Sequence, residues 1–178
     1  MGDITILAVD DQPLMLHALR TFIENEEGVS VAGTAEDGEA AVEAAKALRP
    51  DLVLMDIKMP RLNGIEATRR IVSEVSGTRV LALTTFSTLD YVVPALRAGA
   101  SGYLVKDAHP DEILAAIRNA MDDSLPLSPS VVQLMAQQVV RGTLNTEAIS
   151  EATATEVGLA PREISVLQFL GNGLSNRE

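Results

Sequence analysis

Five short aliphatic and β-branched runs, 4–9, 29–35, 52–57, 80–84 and 102–105, recur between longer stretches whose apolar residues fall at helical spacing. Apart from Asp56 near the end of the third, the runs carry no charge. Such strands are apolar on both faces, and only a sheet covered on both sides hides two apolar faces. The helical patterns begin with Leu14, Ala18, Leu19, Phe22 and Ile23, and continue over 40–48, 65–75, 89–98 and 110–121. Strands alternating with helices must return through right-handed crossovers that pack on the sheet. The pattern therefore predicts an α/β fold, a doubly wound parallel sheet of five strands with helices on each side.

Beyond Asp122 the alternation stops. Ser128 and Pro129 supply a cap and a first helical position for a helix over 129–141, closed by Gly142. Residues 143–159 are rich in Thr, Ala, Glu and Ser with little periodicity, as suits a linker. Pro161 opens another helix with an apolar stripe of Ile164, Leu167 and Leu170, ended by Gly171 to Gly173. Ser175 to Glu178 match the S-x-x-E capping box, a helix-start signal. The expected division is a first domain over 1–122, a helical linker over 123–159, and over 160–178 the opening of a further helical domain, cut within its first turn.

Composition limits the chemistry. Among 178 residues, 47% hydrophobic, there are 25 acidic and 14 basic side chains, a net charge of −11 that disfavours a phosphate backbone or an anionic membrane as the main partner. The absence of cysteine removes disulfides, thiolate metal sites and cysteine nucleophiles. His17 and His109 stand far apart without a carboxylate or second histidine at useful spacing, so surface or capping roles are expected for both. No basic-then-apolar leader and no membrane-length apolar stretch is present, which predicts a cytoplasmic protein without a membrane partner. Carboxylate chemistry remains.

In a doubly wound sheet the binding crevice lies at the carboxyl ends of the strands, where strand order reverses. Asp10 and Asp11 follow the first run and Asp56 ends the third, so neighbouring strands there would bring three carboxylates together. Like charges that close need a proton on one of them or a hard divalent cation, and oxygen donors with room for water suit Mg2+. The fourth run ends in Thr84 and Thr85 and the fifth in Lys106, adding a hydroxyl and an ammonium at the same edge. Acids, cation, hydroxyl and lysine together describe a phosphoryl site, in which a carboxylate can accept a phosphoryl group. A single acid after a strand is usually a turn former or cap, as Asp11 before Pro13 would be alone; the coincidence at several strand ends argues for the set.

Asp10-Asp11, the run Met55 to Pro60 with Asn63-Gly64, Leu83-Thr84, and Ala98 to Lys106 resemble the receiver domain of bacterial two-component response regulators. The resemblance spans residues 3–122. Leu159 to Glu163, Val166-Leu167 and Gly173 to Glu178 resemble the opening of a LuxR-type helix-turn-helix domain, which makes the chain most similar to the NarL/FixJ family. The resemblance implies a flavodoxin-like receiver with strand order 2-1-3-4-5. It makes Asp56 the phosphoacceptor for a sensor histidine kinase, with Mg2+ held by Asp11, Asp56 and the backbone carbonyl of Lys58, and by Asp10 through water. Lys106 would pair with the phosphoryl oxygens, Thr84 would bond one of them, Tyr103 would change rotamer with Thr84, and Thr85 would be a candidate water-access position. The implied protein is a phosphoacceptor switch, not an enzyme, that assists its own phosphorylation and dephosphorylation. It would dimerise with itself on phosphorylation and bind promoter DNA only as the full-length protein. In the family the recognition helix follows the one begun at Ser175, so no DNA-reading residue is expected in this stretch.

Two positions depart from the family pattern. Pro94 lies within the expected fourth helix, predicting a kinked, late or partly irregular helix with a mobile first turn. Ala160 stands where a hydroxyl usually caps the first effector helix, a loss of about 1 kcal/mol. Competing readings are a receiver acting through protein contacts alone, a Mg2+-dependent phosphatase, and a nucleotide-binding fold. The phosphatase lacks a D-x-D pattern after the first strand, and the nucleotide fold lacks a phosphate-cradling glycine loop there. Leu14, Met15 and Leu16, beside the acids, serve either kinase docking or helix burial.

Overall fold

The computed structural model describes residues 3–85, 88–122 and 124–140. In chain order the elements are β1 (Ile4–Val9), α1 (Pro13–Glu24), β2 (Val29–Ala35), α2 (Gly38–Leu48), β3 (Leu52–Met55), α3 (Gly64–Glu74), β4 (Arg79–Thr84), α4 (Leu89–Arg97), β5 (Gly102–Val105), α5 (Pro110–Met121) and α6 (Pro129–Val140). The strands form one parallel sheet in the order β2-β1-β3-β4-β5, the doubly wound arrangement expected.

Alternate residues of each strand serve opposite layers, the period-2 consequence of strand geometry. Ile6, Ala8, Leu52, Leu54, Leu81, Leu83 and Leu104 pack with α1 and α5 on one face. Leu7, Val9, Val53, Met55 and Val80 pack with α2 and α3 on the other. Toward the β5 end of that second face, Ala82, Tyr103 and Val105 join Val92, Ala95 and Leu96 of α4 and Val131 of α6.

The element ends show which local forces win. α2 starts at Gly38, earlier than the apolar pattern alone suggests, because Asp37 caps it by accepting the Ala40 N–H (2.8 Å). β3 stops at Met55 and not at Ile57: the Ile57 carbonyl accepts the Gly64 N–H (2.9 Å) and is drawn toward α3. α4 falls within one residue of its expected range. It begins at Leu89 and continues through Pro94 to Arg97. Its start is closed by the Thr88 carbonyl, which accepts the Tyr91 and Val92 N–H groups at 3.0 and 3.1 Å, so the late start that Pro94 suggests does not occur. Pro94 has no N–H for the carbonyl four residues back, and that loss is borne inside a nine-residue helix whose Val92, Ala95 and Leu96 are buried.

α6 is not a free spacer. The segment before it lies along β5: Tyr103 N–H donates to the Pro126 carbonyl (2.9 Å), and Ser128 N–H donates to the Tyr103 carbonyl (3.0 Å). The Ser128 hydroxyl accepts the Val105 N–H (2.9 Å), and its carbonyl accepts the Val131 and Val132 N–H groups that open the helix. Val131 is fully buried, worth about 2 kcal/mol of apolar burial. The end of this helix at Arg141 and Gly142, the linker over 143–159, the helix from Pro161 and the capping box at Ser175 to Glu178 lie outside the described residues.

Candidate functional site

Register brings the acids together. Val9 of β1 pairs with Met55 of β3, so Asp10 and Asp56 leave adjacent strands side by side. The Asp56 N–H donates to the Val9 carbonyl (2.9 Å), and the Asp10 N–H donates to the Ala35 carbonyl of β2 (3.1 Å), which extends the ladder one step on both sides of β1. Carboxylate oxygens of Asp10, Asp11 and Asp56 all lie within 4.8 Å of one another. Asp10 and Asp56 are buried and Asp11 is exposed, so the cluster opens to solvent through Asp11.

Lys106, one residue beyond β5, places Nζ 2.5 Å from Asp10 Oδ2 and 3.2 Å from Asp56 Oδ2. The remaining oxygens are held by backbone: Gln12 N–H donates to Asp10 Oδ1 (3.0 Å), and Ile57 N–H donates to Asp56 Oδ1 (2.8 Å). Beyond the Lys106 ion pair, Asp10 Oδ2 has no donor in hydrogen-bonding geometry. Burial raises the Asp10 carboxyl above its ordinary pKa, and the Lys106 ammonium and the Gln12 N–H only partly offset this. Three carboxylates against one ammonium leave an excess of two negative charges, the charge of one divalent cation. An all-oxygen donor set with one exposed member and an under-satisfied buried oxygen fits a hard cation that retains water.

The hydroxyl and aromatic positions also fall in place. Thr84 closes β4 and is fully buried, while Thr85 just beyond is exposed. Ala82 is the register partner of Tyr103, and both belong to the same buried cluster. Thr84, two residues after Ala82, shares that sheet face, so Thr84 and Tyr103 are diagonal neighbours on adjacent strands. Tyr103 is fully buried, and burial, with the Asp56 charge nearby, pushes its phenol well above its usual pKa. Lys58 follows Asp56 by two residues and lies in the β3–α3 loop.

Of the remaining positions read from sequence, His17 is exposed, and His109 caps α5 by accepting the Asp111 N–H (3.4 Å). The three apolar residues at the start of α1 separate: Leu16 is buried, Met15 packs partly on the core, and Leu14 is 81% exposed. Two contacts near the site carry no sequence signal that isolates them. Arg61 of the β3–α3 loop forms an ion pair with Asp37 ahead of α2, and Ser128 holds the edge of β5. No helix among the described residues is long and apolar enough to cross a membrane.

Comparison with known proteins agrees with this geometry. The family model of the response regulator receiver domain matches residues 6–118. The chain is 36% identical over 175 residues to the transcriptional regulatory protein YxjL of Bacillus subtilis, covering 98% of this chain and 78% of that protein. It is 31% identical over 173 residues to the nitrate/nitrite response regulator protein NarL of Escherichia coli, covering 97% of this chain and 77% of that protein. The crystal structure of a LuxR-family two-component response regulator from Aurantimonas sp. SI85-9A1 superposes with a TM-score of 0.74 at 33% identity, over 78% of this chain and 99% of that one. With the receiver fold, the acidic cluster at the strand ends and these relatives together, the chain belongs to the response regulators of two-component systems, among proteins of the NarL and LuxR type.

Proposed function

We propose that this receiver is a phosphoryl-accepting switch that controls a DNA-binding transcription regulator, with Asp56 as the acceptor. The observation that carries the reading is the meeting of Asp10, Asp11, Asp56 and Lys106 at one strand-end crevice, two carboxylates and the ammonium being buried. Asp11, Asp56 and the Lys58 carbonyl would hold Mg2+, and Asp10 would hold it through water. Bound there, the ion would supply positive charge against the phosphoryl oxygens.

In the transfer step an Asp56 carboxylate oxygen forms a bond to phosphorus while the phosphorus–nitrogen bond of the kinase phosphohistidine breaks. The imidazole leaves with the electron pair and takes its proton from solvent. Ile57 N–H keeps one Asp56 oxygen oriented, and Lys106, already 3.2 Å from the other, meets the charge on the transferred group. Thr84 then bonds a phosphoryl oxygen, and Tyr103, diagonal to it, follows with a rotamer change. Thr85, exposed at the mouth, is the position from which water reaches the acyl phosphate. The population shifts by the difference in phosphoryl binding between the two arrangements. The chain is a phosphoacceptor that assists its own phosphorylation and dephosphorylation, without turnover of a separate substrate.

The sensor histidine kinase docks beside the acids, where Leu14, three residues after Asp11, offers an exposed apolar side chain. Phosphorylation favours a homodimer, and promoter DNA is the partner of the full-length protein, in the cytoplasm. Residues 1–122 act as the receiver, 123–159 as the linker, and 160–178 as the opening of the helix-turn-helix unit.

Intact mass after incubation with Mg2+ and acetyl phosphate tests the reading. One labile phosphoryl group on the parent and none on Asp56→Asn is expected. Absence of any addition to the parent, or equal addition to both proteins, would overturn it.

A further inference from the structure

The β3–α3 loop, which carries Lys58, is fastened to the turn before α2 at two points. Gly38 N–H donates to the Leu62 carbonyl (3.1 Å), an approach so close that a Cβ on Gly38 would sit 2.3 Å from that oxygen. One residue on each side, the Arg61 guanidinium pairs with Asp37. Arg61 reaches this pair from the left-handed region, with φ of 61°, a conformation that costs a non-glycine residue about 1 kcal/mol. Asp37 is buried and used twice, since its other oxygen caps α2 through the Ala40 N–H (2.8 Å). The cap and the guanidinium, in that order, hold its carboxyl below the usual carboxylate range.

The strand that leads into this turn touches the acidic site from its other side. Ala35, two residues before Asp37, accepts the Asp10 N–H (3.1 Å). At the far end of the loop Gly64 N–H donates to the Ile57 carbonyl (2.9 Å), beside Asp56. The Arg61 side chain is 61% exposed, and solvent screening on that side keeps the pair's net stabilisation modest although Asp37 is buried. A strained residue in an energetically modest contact, bridging the two segments that flank the carboxylates, points to placement and not to stability.

We propose that Asp37 and Arg61 are positioning residues for the phosphoryl site: their pairing sets the β3–α3 loop, and through it the Lys58 carbonyl, against the Asp10 and Asp56 carboxylates. The inference rests on the Mg2+ reading above, because Lys58 matters here as a ligand. Neither residue touches the ion; each acts through the loop.

Two variants separate placement from other effects. Asp37→Asn removes the charge but keeps a good helix cap, and Arg61→Gly removes the guanidinium but accepts the left-handed backbone. If the pair acted only through its charges, losing the anion would weaken Mg2+ binding and losing the cation would strengthen it. Placement predicts the same sign for both. In calorimetric titration of the chain with Mg2+, each variant is expected to bind about tenfold more weakly than the parent, the scale of a lost supporting contact. The double variant is expected to be no worse than either single one, because both break one unit. Unchanged affinity in both variants, opposite signs, or strictly additive losses would overturn the proposal. A parent that does not bind Mg2+ at all would overturn the underlying reading instead, and thermal melting beside the titration identifies any loss that comes from unfolding.

Discussion

Lys106 Nζ lies 2.5 Å from Oδ2 of Asp10, a carboxylate with no exposed surface. The pair is a solution to a problem the strand ends create, since register alone forces two buried acids together. Removing one member of such a pair strands the other. Lys106→Met is therefore expected to lower the unfolding free energy by about 3 kcal/mol in the presence of a chelator, with Mg2+ recovering part of the loss by replacing the missing positive charge. Urea unfolding of both proteins, with and without Mg2+, checks this; a variant as stable as the parent in chelator would mean that Asp10 is compensated elsewhere.

At the amino-terminal ends of β1 and β3, away from the acids, a pH dependence is built in. Thr5 gives both its N–H (2.8 Å) and its hydroxyl (2.6 Å) to Asp51 Oδ2, and the Asp51 N–H returns to the Thr5 hydroxyl oxygen (3.0 Å). The hydroxyl, then the N–H, hold the Asp51 carboxyl below its ordinary value of 3.8. The native state thus binds fewer protons than the unfolded state between the two values, and its advantage rises with pH. Asp51→Asn should cost about 1 kcal/mol above the unfolded-state value, and the gap should close as pH falls through the depressed native value. Urea unfolding at a series of pH values measures the gap; a constant difference down to pH 2 would contradict the assignment.

Much of this site could be read from residue order. An uncharged run that ends in an acid, a hydroxyl or a lysine is a local signal, and the parallel sheet brings four such ends to one edge. Asp10, Asp11, Asp56, Thr84 and Lys106 were legible for that reason. Asp37–Arg61, Thr5–Asp51 and Ser128–Val105 were not, because each joins segments 23 to 46 residues apart and involves residue types that serve equally well as solvated surface. Of the outcomes that Pro94 suggests, the late start is absent: the helix begins at Leu89, and the buried Val92, Ala95 and Leu96 anchor it around the proline.

Gly64 is confined by the backbone just beyond β3. A Cβ there would stand 1.9 Å from the Asp56 carbonyl oxygen, a contact with backbone that no side-chain rotation relieves. Gly64→Ala is expected to cost about 3 kcal/mol and to slow phosphoryl uptake from acetyl phosphate by displacing Asp56. Urea unfolding and intact-mass time courses read the two effects separately; a stable variant with parental uptake would show that β3 yields without moving its acid.

The seat of α6 can be broken without touching the acids. Val131→Asp places a charge in the cluster that holds Tyr103, Val92 and Leu96, and the helix should leave its seat while the sheet stays folded. Amide exchange over residues 129–137 should quicken more than tenfold, with β1 and β3 as protected as in the parent. Equal protection in both proteins would mean that other contacts hold α6.

One further consequence follows from how the chain lies on β5. Four backbone groups of Tyr103 and Val105 have partners outside the sheet: the Tyr103 N–H and carbonyl bond Pro126 and Ser128, the Val105 N–H bonds the Ser128 hydroxyl, and the Val105 carbonyl accepts the Ala108 N–H (3.0 Å). A strand edge with open donors and acceptors is a template for pairing with other chains, and this one has been closed from within. Strand addition at this edge is thereby disfavoured, which leaves side chains as the means of any association on this side. Side-chain contacts can be made and undone, whereas added strands tend toward open-ended growth.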